Sequence, residues 1–318
     1  MESPKPRLTI VIPVYNRRKE IIRVLESARR QTLRPLRIIV ADNGSGDGTP
    51  EAAEEWIRSN ADSLLDVRLL HEPEKGAWKA RASGEREADT EFISFFDSDD
   101  EMLPGYASSI VEGFDRNPSA DLLIWSRIYK YDDGRIRRPA FIRRRPVANQ
   151  AVHSTICSET FAARTPFFLS AGKWENAAVP VWDDWVLGMK MLLCKPGIAF
   201  LDCHLGIIHA HGDSITGDSF SPKAGLWETA VENVREYGKR LSPRARKRLD
   251  FLLDYKLAVL AGHYRREGNA AASQKIMKSL ENMPLSPVQR AALKFACRYT
   301  AAGLRGCARI LSPLLREP

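Results

Sequence analysis

LTIVIPVY (8–15) is a β-branched apolar run, and the chain after Asn16 places Ile21, Ile22, Leu25 and Ala28 on one helical face, so strand then helix is the simplest reading. A second apolar run, LRIIVAD (36–42), leads into the turn-rich NGSGDG. Thr49 and Pro50 then serve as N-cap and first helical residue of EAAEEWIRS. DVRLLH (66–71), a helix-compatible stretch from Ala77 to Ala88, and EFISFFD (91–97) continue the alternation. Such alternation predicts a parallel sheet covered by helices, with ligands bound beyond the carboxyl ends of the strands. Those ends carry Pro13-Val14-Tyr15, Asp42-Asn43 and Asp97-Ser98-Asp99-Asp100. After Pro104 the pattern loosens into a helix to Arg116, a strand over 121–131 and an extended arginine-rich segment, so 118–215 reads as a mixed, partly antiparallel extension of the sheet. From Pro222 onward, amphipathic stretches such as 249–266 predict helices, broken at Ser242-Pro243, Gly268, Pro284 and Pro287.

Composition narrows the class. Of 318 residues, 44% are hydrophobic and 28% charged, which suits a sizeable core and argues against general disorder. No apolar run reaches the ~20 residues of a membrane span, and MESPKPRLT lacks the apolar stretch of a signal peptide, so a cytoplasmic location is expected. Five cysteines without a CxxC pair read as reduced thiols. Charge is uneven along the chain: residues 221–318 carry 19 Lys/Arg against 8 Asp/Glu, and residues 1–220 carry 29 against 32. This shift marks a boundary near Ser219–Pro222 and a basic helical C-terminal region over 221–318. Six arginines between Arg135 and Arg145, with RARKR (244–248), are either solvated charge or a contact for an anionic surface such as membrane headgroups. No zinc-finger spacing, RNP-like motif or basic zipper accompanies them, so no nucleic acid partner is expected.

Three patterns carry candidate chemistry. Asp97, Asp99 and Asp100 put three like charges in four positions after a strand, which is either a solvated acidic turn or a set of hard oxygen ligands for magnesium or manganese beside substrate phosphates. Asp183-Asp184 begins a helical pattern whose Val186, Leu187 and Met189 bury one face, leaving a carboxylate that either caps the helix or acts as a general base. His209 and His211 alternate in a strand and so share a face. A dinucleotide oxidoreductase is disfavoured because no G-x-G-x-x-G follows the first strand, and PVYNRRKE is not the glycine-rich, lysine-bearing loop of a nucleotidyltransferase.

TIVIPVYNRRKEIIRVLESARRQTLRPLRIIVADNGSGDGT and KGAWKARASGEREADTEFISFFDSDDEMLPG resemble, in motif order and spacing, the nucleotide-sugar domain of inverting glycosyltransferases of family 2, which have the GT-A fold. The likeness covers roughly the first 110 residues, with weaker matches to about residue 216. It implies an α/β fold with a GT-A-like, mostly parallel central sheet flanked by helices, followed by a C-terminal helical extension. Residues 1–110 would form the nucleotide-sugar-binding half, and 111–220 the acceptor-binding and catalytic-base half of the same domain. Pro13 and Tyr15 would shape the nucleotide pocket, Asp42 and Asn43 would approach base and ribose, and Arg81, in the G-x-x-x-A-R segment from Gly76, would reach the nucleotide. Many members carry Asp where Asn43 stands. Asp97 would lie with the donor, and Asp99, Asp100 and His211, the last matching an H-x-x-S-x-S segment, would hold a divalent metal, manganese or magnesium. Asp184 aligns with the catalytic base of a Glu-Asp motif, and Asp183 replaces the Glu. The implied activity is transfer of a sugar from a nucleoside diphosphate sugar to a hydroxyl of a carbohydrate or lipid-linked acceptor, with inversion, in bacterial polysaccharide or glycoconjugate synthesis and with peripheral contact to anionic membrane. The contrasting class is a noncatalytic basic module that docks on membrane or nucleic acid.

Overall fold

A computed structural model describes residues 5–139, 143–210 and 219–318. The chain forms two compact units, one from residues 1–141, 156–178 and 194–211, the other from 142–155, 179–193 and 212–318. Elements are numbered along the whole chain.

The first unit begins with β1 (Leu8–Val14), α1 (Arg18–Arg29), β2 (Leu36–Asp42), α2 (Thr49–Asn60), β3 (Leu65–His71), α3 (Ala77–Arg86) and β4 (Phe92–Phe95). It continues with β5 (Glu101–Met102), α4 (Tyr106–Arg116), β6 (Leu122–Tyr131) and β7 (Ile136–Arg137), then β8 (Phe161–Arg164), the single turn α6 (Thr165–Phe167) and β9 (Ile198–Ala210). One sheet runs in the order β3-β2-β1-β4-β8-β6-β9-β5, with β7 paired to β6. Strands β3, β2, β1 and β4 are mutually parallel, as the strand-helix alternation predicts. Beyond them β8 is antiparallel to both β4 and β6, β9 is parallel to β6, and β5 is antiparallel to β9. The expected mixed extension is therefore present.

Burial explains the strand sequences. Every residue of β1 is buried, because helices cover both faces of a parallel sheet and a continuous apolar run is then required. At the sheet edge, β3 instead alternates, with Leu65 and Val67 buried and Arg68 exposed. The helix expected at Thr49 starts there, but the cap position belongs to Gly48, whose φ of 88° is open to glycine at little cost. Thr49 is buried instead, its hydroxyl 2.5 Å from Asp47 Oδ1 and accepting from the Arg17 N–H. Phe92 stacks on Phe114 with ring centroids 4.2 Å apart, fixing α4 against the sheet. The register aligns Val14, Asp42 and His71 at the ends of three strands, whereas β4 stops at Phe95, opposite Val11.

The second unit comprises α5 (Pro146–His153), α7 (Asp183–Leu193), α8 (Leu226–Tyr237), α9 (Pro243–Arg266), α10 (Ala270–Glu281), α11 (Pro287–Ala301) and α12 (Cys307–Ile310). The breaks expected at Ser242-Pro243, Gly268 and Pro284–Pro287 all separate helices. Arg235 of α8 bonds Asp250 at 3.2 Å and Asp254 at 2.8 Å on α9. Glu317 caps α5 by accepting from the Val147 and Ala148 N–H groups at 2.8 and 3.0 Å, so the last residues of the chain hold a helix that lies far earlier in sequence. Among the described residues no helix is long and apolar enough to cross a membrane.

In the first unit α3 packs closely on β1: a Cβ at Gly84 would lie 2.3 Å from Val11 Cγ1, inside contact distance, and Val11 is fully buried. Gly84→Ala is expected to cost about 1–3 kcal/mol by overpacking. Urea unfolding monitored by circular dichroism reads this as a lowered midpoint at unchanged m-value.

Candidate active site

The carboxyl ends of β1 and β2 build one wall. Pro13 is buried and paired with Ala41, while Tyr15, just past β1, is 51% exposed. Lys75 Nζ sits 4.1 Å from the centre of the Tyr15 ring and donates to the carbonyls of Asn43 and Gly44 at 3.0 and 2.7 Å. Asn16 Oδ1 accepts from Gly46 N–H at 2.9 Å and Ser45 Oγ accepts from Asn16 N–H at 2.9 Å, tying the two strand-end loops together.

Asp42 is 1% exposed. Its Oδ2 accepts from Gly44 and Ser45 N–H, each at 3.1 Å, while its buried Oδ1 has no hydrogen-bond partner among the described residues. A buried acceptor left open at a strand end is a place for a ligand N–H or O–H. Asn43 is used differently. Its Nδ2 donates to the carbonyls of Glu72 and Glu74 at 3.2 and 2.7 Å, and its Oδ1 accepts from Gly76 N–H at 2.7 Å. The amide thus staples the 72–76 loop to β2, a task that needs both a donor and an acceptor. Gly76, with φ 139°, turns that loop into α3.

Past β4 lies the acidic group. Asp97, Asp100 and Glu159 each offer a carboxyl oxygen, and these atoms lie within 4.8 Å of one another. Arg81, on α3, donates to Asp97 Oδ1 at 2.7 Å, and its guanidinium lies 4.7 Å from the Trp174 ring centre. Glu85 accepts from Trp174 N–H at 2.9 Å and so fixes the residue against which Arg81 rests; burial pushes the Glu85 carboxyl up to about 7. Arg127, on β6, donates to Glu159 Oε2 at 3.1 Å. Burial opposes ionisation throughout. At Asp97 it is outweighed by the charge of Arg81 and by hydrogen bonds from Glu159 and Arg81, and the carboxyl is held below its usual range. At Glu159, burial and the neighbouring Asp97 charge push the carboxyl well above its usual range. Burial, then the charges of Asp99 and Asp97, raise Asp100 as well.

Asp99 lies outside this group, its Oδ2 3.6 Å from Arg17 Nη2. His211 lies outside the described residues. His209 meets the acidic group through its backbone, its N–H donating to Asp100 Oδ1 at 2.9 Å, and burial with the nearby charges of Arg23 and Lys130 lowers the pKa of its imidazole. In the second unit, Asp183 and Asp184 open α7. Asp183 Oδ1 accepts from Asp184 N–H at 3.0 Å, and Asp184 Oδ1 from Trp185 N–H at 2.6 Å. Sequence reasoning missed Glu159, Arg127, Lys75 and Trp174. Each is an ordinary residue in its own segment and becomes a site residue only through the sheet order.

Residues 9–170 match the family model for glycosyl transferase family 2, more than half of the chain. The chain belongs to glycosyl transferase family 2. Glycosyltransferase GlyG of Streptococcus pneumoniae is 29% identical to it over 127 residues, 40% of each protein. A Campylobacter jejuni protein, GalNAc(5)-diNAcBac-PP-undecaprenol beta-1,3-glucosyltransferase, is 28% identical over 107 residues, 34% of each. The match thus spans well under two thirds of these relatives. Residues 1–349 of S. aureus TarS in complex with UDP-GlcNAc superpose with a TM-score of 0.63 at 17% identity, covering 96% of this chain and 92% of that one. Mannosyltransferase PcManGT from Pyrobaculum calidifontis, in complex with GDP-Man and Mn2+, superposes with a TM-score of 0.54 at 16% identity, covering 98% and 84%. The likeness to these solved structures is one of fold, and that fold is GT-A.

Within this family 2 chain, the role of Asn43 is open to a direct check. Asn43→Asp would set a carboxylate against the carbonyls of Glu72 and Glu74 and is expected to cost about 1–3 kcal/mol at pH 7. The new carboxyl would have a raised pKa in the folded state, so the penalty should shrink as pH falls through that value toward 4. Urea unfolding of both proteins at pH 7 and pH 4.5 measures the difference; a gap that is the same at both pH values would contradict the stapling role.

Proposed function

We propose that this chain transfers a sugar from a nucleoside diphosphate sugar to an acceptor hydroxyl, with inversion at the anomeric carbon and with a divalent cation, manganese or magnesium, held at the acidic group. The observation that carries this reading is the convergence of Asp97, Asp100 and Glu159 beside Arg81, within the segment that matches the family. Three hard oxygens within 4.8 Å of one another suit such a cation, and burial with mutual repulsion raises the Asp100 and Glu159 carboxyls, a cost that the charge of a cation would offset. Asp99 and Asp100 are the proposed ligands from the motif, Asp97 and Glu159 complete the acidic group, and His211 is proposed from its motif alone. When bound, the cation would supply positive charge to the diphosphate oxygens of the donor.

The chain's own residues supply the rest. The open Oδ1 of Asp42 takes a nucleobase N–H, with Tyr15 stacking beside the base and Pro13 shaping the pocket. Arg81 fixes Asp97 and keeps it ionised. Asp183 caps α7 through the Asp184 N–H, and the helix N-terminus favours the carboxylate form of Asp184. Asp184 is the proposed base: the acceptor oxygen bonds to the anomeric carbon as the bond to the diphosphate breaks, and the acceptor proton passes to the Asp184 carboxylate. A carbohydrate or lipid-linked acceptor follows from the kind of substrate named for the Campylobacter relative. Exposed Val288, Phe295, Leu304 and Ile310, in a region rich in Lys and Arg, support contact with an anionic lipid surface.

Calorimetry with UDP-, dTDP- and GDP-sugars is expected to find one donor bound with manganese and released by chelator. Asp100→Asn should weaken that binding by about a hundredfold, since it removes one charged ligand and leaves the others repelling the phosphates. Equal affinity in manganese and in chelator would sink the cation assignment. Asp184→Asn should keep donor affinity within about twofold while turnover falls by roughly 10²–10⁴-fold, as expected when a general base is lost. Unchanged turnover in that variant would move the base elsewhere.

A further inference from the structure

Lys256 lies in the middle of α9 and is 9% exposed, although lysine is rarely buried without an anion beside it. Its Nζ lies 4.4 Å from the centre of the Trp182 ring and 5.2 Å from that of Trp185. These two tryptophans immediately precede and follow Asp183-Asp184. The charge of Asp184 acts on the Lys256 ammonium. The acidic neighbours of Lys256 on its own helix are engaged elsewhere, Asp250 and Asp254 both being bonded to Arg235. Trp182 has a φ of 56°, a conformation that is costly for a bulky residue and persists only where the surroundings enforce it. Those surroundings are aromatic: Trp182 packs on Trp185 at 5.7 Å, on Trp227 at 4.7 Å and on Phe220 at 6.2 Å between ring centres.

We propose that Lys256 is a positioning residue for the catalytic base, its ammonium, resting over Trp182 and Trp185 on either side of the acidic pair, favouring the ionised carboxylate of Asp184 in the first turn of α7. This rests on the reading of Asp184 as the base, and it gives the C-terminal helices a part in the chemistry. Burial pushes the Lys256 ammonium down to about 8, with the attraction of Asp184 opposing, so the charge is present at neutral pH. The other titratable groups acting with it are His153 on α5 and His263 on α9, and burial, reinforced at both by the charge of Lys256, lowers each of them. Both shifts favour the neutral imidazole beside the Lys256 ammonium.

The test uses the full chain, hydrolysing whichever of UDP-N-acetylglucosamine, a dTDP-sugar and GDP-mannose the donor screen selects. Lys256→Met and Lys256→Gln remove the charge while keeping most of the side-chain volume. Turnover is expected to fall at least about tenfold at unchanged donor affinity, and the acid limb of the turnover–pH profile should move to higher pH, because a carboxylate without its cation is harder to ionise. In an Asp184→Asn background, Lys256→Met should cost little more. Wild-type turnover with an unmoved acid limb in either neutral variant overturns the proposal. So does a loss of turnover that follows donor affinity and thermal stability together, or a failure of both variants to fold, since each assigns Lys256 to stability alone. Full turnover of Asp184→Asn by itself overturns the base reading, whereas an inactive Asp184→Asn beside a fully active Lys256→Met overturns only the role of Lys256.

Discussion

Three carboxyl groups share a largely water-excluded space in the first unit, and two guanidinium groups answer them. Arg81 pairs with Asp97 and Arg127 with Glu159, while Asp100 accepts the backbone N–H of His209 from the strand beside it. Two positive charges cannot neutralise three negative ones in a medium where separating charge is expensive, so a proton or an added cation must make up the balance. Burial and the neighbouring negative charges act in that direction at Glu159 and at Asp100, raising both carboxyl groups. A site whose own residues leave it short of positive charge suits the divalent cation proposed for it, and this links the acidic group to the fold around it.

That balance depends on strand order. Asp97 follows β4, Glu159 precedes β8 and Arg127 lies on β6, and these strands are neighbours as β4-β8-β6. Because β8 runs antiparallel to both neighbours, its amino-terminal end comes to the carboxyl end of β4, which brings Glu159 beside Asp97. A parallel strand in that place would present its carboxyl end and the Arg164 side instead. The change from parallel to mixed pairing is therefore the step that assembles the site.

The same point explains what could be read from the chain. In residues 8–116 the strands β1, β2 and β4 are buried on both faces, β3 alternates at the edge, and each helix follows its strand closely, so periodicity located nearly every element, and Asp42, Asn43 and Asp97 could be assigned to strand ends. Glu159 could not be found in this way, since it belongs to a three-residue turn of Ser, Glu and Thr that has no apolar period and gains its partner from a residue 62 positions earlier. Asn43 was placed correctly but its work was not legible: the two carbonyls it holds come from a loop about thirty residues away. The change in charge near residue 220 likewise could not reveal that 142–155 and 179–193 group with the tail, because Glu317 capping α5 and Lys256 against Trp182 are contacts between segments with no shared local pattern.

The basic surplus of residues 221–318 is not one feature but two. Part of it is structural: Arg235 is bound to two aspartates of α9, Arg248 donates to the Glu317 carbonyl at 3.1 Å, and Lys256 is buried against aromatic rings. Charges used this way are compensated or shielded and project little field beyond the protein. The rest is on the surface. Along α11 the exposed positions Val288, Ala291, Lys294, Phe295 and Arg298 recur at helical spacing, so apolar and basic side chains occupy one stripe while Ala292, Leu293, Ala296 and Cys297 face inward. A stripe made only of charge would be explained by solvation. Apolar residues of the size of valine and phenylalanine on that stripe gain nothing from water, which is why the proposed contact with anionic lipid falls to this part of the basic surplus and not to the whole of it.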